Sequence, residues 1–102
     1  MSHLKAIAAA EGFEWDSGNS LKSLTKHKVN SNESEQVFRN RPLLLLDDDT
    51  HSQKEVRYKA FGKTDHKRLL TVSYTLRGKK IRIISARPMH RKERKIYEKA
   101  KK

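Results

Sequence analysis

Apolar positions along the chain change period several times, and each change marks an element. Phe13-Glu14-Trp15-Asp16 alternates aromatic with acidic residues, as a half-buried strand does. Asp16-Ser17-Gly18-Asn19 then supplies a turn and a helix cap. From Ser17 to about Lys28 the spacing predicts a helix with Leu21, Leu24 and Val29 turned inward, and Lys26, His27 and Lys28 complement the dipole of its last turn. Asn30 with Glu33 three residues later has the form of a capping box, opening a second helix that buries Val37 and Phe38 and stops before Pro42.

Leu43-Leu44-Leu45-Leu46 is a continuous apolar run, suited to a short strand covered on both faces, and Asp47, Asp48 and Asp49 end it in solvent. A polar loop leads to a strand from about Val56 to Lys63, with Val56, Tyr58 and Ala60 on one face and Arg57, Lys59 and Phe61 on the other. The next strand sets Leu70, Val72 and Tyr74 opposite Thr71, Ser73 and Thr75. Arg77-Gly78 reads as a tight hairpin into a strand at 80–87, where Ile81, Ile83 and Ile84 interleave with Arg82 and Arg87 until Pro88 closes it. Beyond Pro88 the period becomes helical, with Met89, Ile96, Tyr97 and Ala100 near one face and cations on the rest. The order is βααββββα. It predicts an α+β domain whose antiparallel sheet has helices packed on one face and a basic helix at its C-terminus. Residues 13–102 form this single domain, and the Ala-rich residues 1–12 are an extension.

Charge changes the picture. The 102-residue chain carries a net +12, yet Arg77 to Lys102 alone hold twelve Lys and Arg against Glu93 and Glu98. The preceding residues are close to neutral. A charge so localised points to a polyanionic partner, and nucleic acid fits better than lipid because the apolar face of the last helix is too small for an interfacial anchor. No cysteine is present, which excludes disulfides, thiolate metal sites and cysteine nucleophiles. No segment has the length of a membrane span, and the AIAAA run at 6–10 is too short for a secretory core, so a cytoplasmic location and no membrane partner are expected.

FEWD at 13–16, KH at 26–27, HSxxExR at 51–57, YT at 74–75 and IRIISAR at 81–87, in this order and followed by a basic helix containing ER and a Tyr, resemble the BrnT family of toxins. The resemblance implies a RelE-like fold and a metal-independent endoribonuclease that needs no cofactor, blocks translation and is held by a BrnA-type ribbon-helix-helix antitoxin. It also implies that operator DNA is bound only through the antitoxin complex. Two positions depart from the family pattern: Lys28 stands where glycine usually follows KH, and Met89-His90 stands where a small residue and a capping Thr are common.

Cleaving RNA without a metal requires a base for the 2′-hydroxyl, cations for the phosphorane oxygens and an acid for the leaving oxygen. Arginine suits the cationic role because its planar fork stays charged and matches two phosphate oxygens. Arg57 and Arg82 are the catalytic candidates for it, with Glu55 and His51 as candidates for proton transfer. Arg77, Lys79, Lys80, Arg87, Arg91, Lys92, Arg94 and Lys95 form the expected RNA track. Simpler readings stand beside these. Arg57 or Arg82 could pair with Glu55 or an aspartate of 47–49 to hold the sheet, His51 could be a solvated loop group, and the domain could be a non-catalytic RNA- or DNA-binding module. A docking module for an acidic protein is a third reading. A hard-cation site at Asp47, Asp48, Asp49 and His51 is disfavoured, because consecutive residues at a strand end point in different directions.

Overall fold

The computed structural model describes residues 7, 10–15, 17–48 and 56–100, without the side chains of residues 17 and 19–22. Its elements are β1 (Gly12–Trp15), α1 (Ser17–His27), α2 (Ser31–Arg39), β2 (Leu44–Asp47), β3 (Tyr58–Lys63), β4 (Leu69–Arg77), β5 (Lys80–Pro88) and α3 (Arg91–Ala100). The expected order βααββββα holds. One five-stranded sheet runs β1-β5-β4-β3-β2. It departs from the all-antiparallel expectation at one edge, where β1 pairs with β5 in parallel, Gly12 opposite Lys80 and Trp15 opposite Ile83. The crossover through α1, α2 and three strands returns the chain to β1 in the same direction, and that makes the sheet mixed.

Strand alternation sorts the residues of β3, β4 and β5 onto two faces. Ala60, Leu70, Val72, Tyr74, Ile81, Ile83 and Ala86 are buried on the inner face against Val29, Val37 and Phe38 of the helical layer. The approach is closest at Gly62, where a Cβ would meet Val37 Cγ1 at 2.6 Å. Phe61 lies on the outer face, where Met89 and Tyr97 bring α3 down over it together with Leu44 and Leu69. Tyr97 fixes this corner, its hydroxyl donating to the Pro42 carbonyl at 2.6 Å. The terminal helix therefore covers the face opposite α1 and α2.

Several apolar expectations shift for local reasons. Leu24 is exposed, because the surface α1 turns to the sheet carries Ser23 instead, 2% exposed. Trp15 ends the pairing of β5 with β1, and the Ala86 amide beyond it donates to Ser23 Oγ at 3.1 Å. A buried N–H needs such a partner more than the helix needs another leucine. Val56 precedes β3 and is exposed, as is Ile96 on the solvent side of α3. Leu46 is exposed on the edge strand β2, so only Leu43, Leu44 and Leu45 of that run are covered. Asp48 is buried, whereas all three aspartates were expected in solvent.

The capping box forms as expected: the Glu33 amide donates to Asn30 Oδ1 at 2.9 Å and the Asn30 amide to Glu33 Oε1 at 3.3 Å. Arg68 ties this start to the end of α1, donating to the carbonyls of His27 at 3.1 Å and Lys28 at 2.7 Å while pairing with Glu33. Lys28 itself sits at φ 58°, a left-handed conformation in which a side chain is strained. This is why glycine suits the position. Lys28→Gly is expected to raise stability by roughly 0.5–1 kcal/mol, read as a higher urea midpoint with unchanged slope.

Candidate active site

On the outer face, alternation places Arg57 and Lys59 ahead of Phe61, and Thr71, Ser73 and Thr75 along β4. Arg82 of β5 pairs with Thr75 and, across the parallel edge, with Glu14. Arg87 lies five residues further on, so an unbroken strand would turn it to the inner face. A bulge prevents this. Ser73 is opposite Ser85 while Tyr74 is opposite Ile83, leaving Ile84 as the extra residue. Ile83 and Ala86 thus both face the core, and Arg82, Ser85 and Arg87 share the outer face.

Below the bulge lies a cavity of about 250 Å³ lined by Asp48, Arg57, Lys59, Ser73, Ile84, Ser85 and Arg87. Its lining brings together three cations, two hydroxyls and the Asp48 side chain. Asp48 forms part of the wall, its amide donating to the Arg57 carbonyl at 3.0 Å. Arg82 is further along the same face toward Glu14. Arg77, Lys79 and Lys80 occupy the exposed hairpin at the far end of β5, turned by Gly78 at φ 57°. Lys79 makes a 3.6 Å pair with Glu11, and both side chains are mostly exposed, so little stability comes from it. Arg91, Lys92, Arg94 and Lys95 are exposed on α3, at the Arg87 end.

Arg87 is not a lone cation. Its Nη1 donates to Glu93 Oε1 at 2.7 Å and its Nη2 to Glu93 Oε2 at 2.9 Å, a two-pronged pair. Glu93 Oε1 also accepts from the Thr71 hydroxyl at 2.9 Å and from the His90 amide at 2.8 Å, the latter closing the first turn of α3. Burial pushes the Glu93 carboxyl up, but the Arg87, His90 and Thr71 hydrogen bonds and the Arg87 charge outweigh it and bring the carboxyl down to about 2. A carboxyl depressed when folded stabilises the protein above its unfolded value, and that contribution is lost as pH falls. Stability is therefore expected to drop from near pH 4.5 toward pH 2. Glu93→Gln should flatten this limb of a melting-temperature profile.

His51 and Glu55 lie outside the described residues. The described residues that flank them are Asp48, on the cavity wall after β2, and Val56, next to Arg57 before β3. The structure adds Lys59, Ser73, Ser85, Thr71 and Glu93 to the site. Lys59 shares its strand parity with Arg57 and was legible on that ground. Ser85 was hidden by the bulge, since unbroken alternation from Arg82 sends it inward. Glu93 carried one signal, its third position in a helix that begins after His90.

A family model described as the ribonuclease toxin BrnT of type II toxin–antitoxin systems matches residues 15–93. Among solved structures, the chain is similar to the ribonuclease toxin BrnT of Brucella abortus, with a TM-score of 0.61 and 16% identity over 78% of this chain and 97% of that one. At that identity the likeness bears on the fold. No curated protein matches the chain.

Proposed function

The chain belongs to the BrnT family of ribonuclease toxins of type II toxin–antitoxin systems, and from that premise we propose that it cleaves single-stranded RNA, mRNA above all, without a metal ion and so halts translation. The observation that carries this reading is the bulge at Ile84, which brings Arg87 into the same outer-face cavity as Arg57 and Lys59, with Arg82 on that face. Three cations against the one carboxylate of Asp48 give the pocket a positive balance, which favours the scissile phosphate over a divalent metal. The charge that grows on the phosphorane oxygens is met by Arg57 and Arg82, whose planar forks each match two oxygens.

Proton transfer falls to the 49–55 segment. Glu55 takes the proton from the 2′-hydroxyl, the 2′-oxygen attacks phosphorus, the bond to the 5′-oxygen breaks, and His51 supplies the proton that the leaving oxygen takes up. A 2′,3′-cyclic phosphate and a 5′-hydroxyl result. The flanking RNA follows the cations of α3 on one side and of Arg77, Lys79 and Lys80 on the other.

The antitoxin partner is of the BrnA type, with a ribbon-helix-helix domain, and it silences the toxin by laying acidic and apolar groups over the arginine face. Operator DNA is contacted only through that complex. The toxin acts in the cytoplasm. Among the described residues no helix is long and apolar enough to cross a membrane.

Incubating the purified chain with single-stranded RNA in EDTA tests the activity. Shortened RNA is the expected result. RNA that is retained but intact would favour the rival reading, a basic nucleic-acid-binding module without catalysis.

A further inference from the structure

We propose that Glu93 is the positioning residue of the site: it holds Arg87 by one edge of its guanidinium so that the other edge is presented to the RNA phosphate. The inference rests on the ribonuclease reading of the cavity and names how one of its cations is aimed. A guanidinium has five N–H donors in one plane. Of those of Arg87, Nη1 gives one to Glu93 Oε1 and one to the Pro88 carbonyl at 3.2 Å, and Nη2 gives one to Glu93 Oε2. The end of the fork is thereby occupied. Among the described residues no bond is made by Nε–H or the second Nη2 hydrogen, which lie side by side along the adjacent edge, and two such donors match two phosphate oxygens.

Glu93 is itself rigidly placed. Its side chain is 13% exposed against 25% for that of Arg87, and its Oε1 is fixed by the Thr71 hydroxyl from β4 and the His90 amide from the start of α3. A carboxylate held from the sheet and from the helix at once can set the plane of a flexible arginine. An arginine without it would sweep several rotamers, and a displacement of about 1 Å in a positioning group can cost on the order of 10²-fold in rate. Glu93 touches no substrate in this arrangement. It acts through Arg87, and it ties the aim of that arginine to the seating of the cationic helix that carries the flanking RNA.

The test is a double-mutant cycle on RNA cleavage, read as kcat/KM well below the melting temperature of each variant. Arg87→Ala is expected to lower kcat/KM by about 10–100-fold and Glu93→Gln by about tenfold, while the double variant falls no further than Arg87→Ala alone. A carboxylate serving only to cap α3 and stabilise the fold would lower the melting temperature equally, but its kinetic cost would multiply with that of Arg87→Ala. Multiplying losses, or full kcat/KM in Glu93→Gln, would overturn the proposal. If Glu93→Gln does not fold, Glu93→Asp, which keeps the charge one methylene further back, takes its place in the cycle with the same criterion. An Arg87→Ala variant at the parental rate would overturn the site reading and the inference together. A parental chain that leaves RNA intact would overturn the ribonuclease reading itself.

Discussion

Replacing Arg57 or Arg82 by alanine is expected to slow RNA cleavage by about 10²-fold or more in kcat with the fold intact, the loss that follows removal of one donor to a developing oxyanion. Arg57 lines the cavity and Arg82 is half-buried on the same sheet face. Neither side chain belongs to the buried cores on which folding depends. Arg→Lys at either position should recover only part of the rate, because a point charge replaces a two-donor fork. Single-turnover rates with excess enzyme, alongside far-UV circular dichroism, separate the chemical effect from misfolding. Parental rates in both alanine variants would remove the arginine face from the chemistry.

The second large effect concerns the terminal helix. Neutralising Arg91, Lys92, Arg94 and Lys95 together to glutamine should reduce the slope of log affinity against log salt by about 3, since each phosphate contact on a single strand contributes roughly 0.7. All four are exposed, whereas Tyr97 in the same helix is buried and Glu93 is held by Arg87. Substitution is thus the clean form of the experiment; truncation before Arg91 would strip the outer core and the Glu93 pair as well. Fluorescence anisotropy with a labelled oligonucleotide across a salt series reads the slope. An unchanged slope would put the RNA on another surface.

Most of the fold was legible because local rules agreed with tertiary demands. Asn30 and Glu33 cap a helix by themselves, the hairpin expected at Arg77-Gly78 turns one residue later at Gly78-Lys79, and Tyr58, Val72 and Ile81 alternate with polar neighbours. The failures occur where a distant partner decides. Whether β1 joins in parallel depends on the path of the intervening chain, and Ser23 is buried because a strand amide sixty-three residues away needs an acceptor. The site follows the same division. Arg57 and Lys59 follow from parity, while the common face of Arg82 and Arg87 depends on one unpaired residue, Ile84, that no periodicity announces. Glu93 looked like one of two anions in a basic helix, and its reach to Thr71 and Arg87 appears only once α3 is laid on the outer face.

The central claim is phosphoryl transfer by arginines without a metal, and the ends of the cleaved RNA test it most directly. With purified chain, a single-stranded RNA and excess EDTA, the account predicts continued cleavage and fragments bearing a 2′,3′-cyclic phosphate or 3′-phosphate and a 5′-hydroxyl. Fragments with 5′-phosphates, or cleavage that stops in chelator and returns with Mg²⁺, would contradict it, because a metal-activated water attacks from outside and leaves the phosphate on the 5′ side.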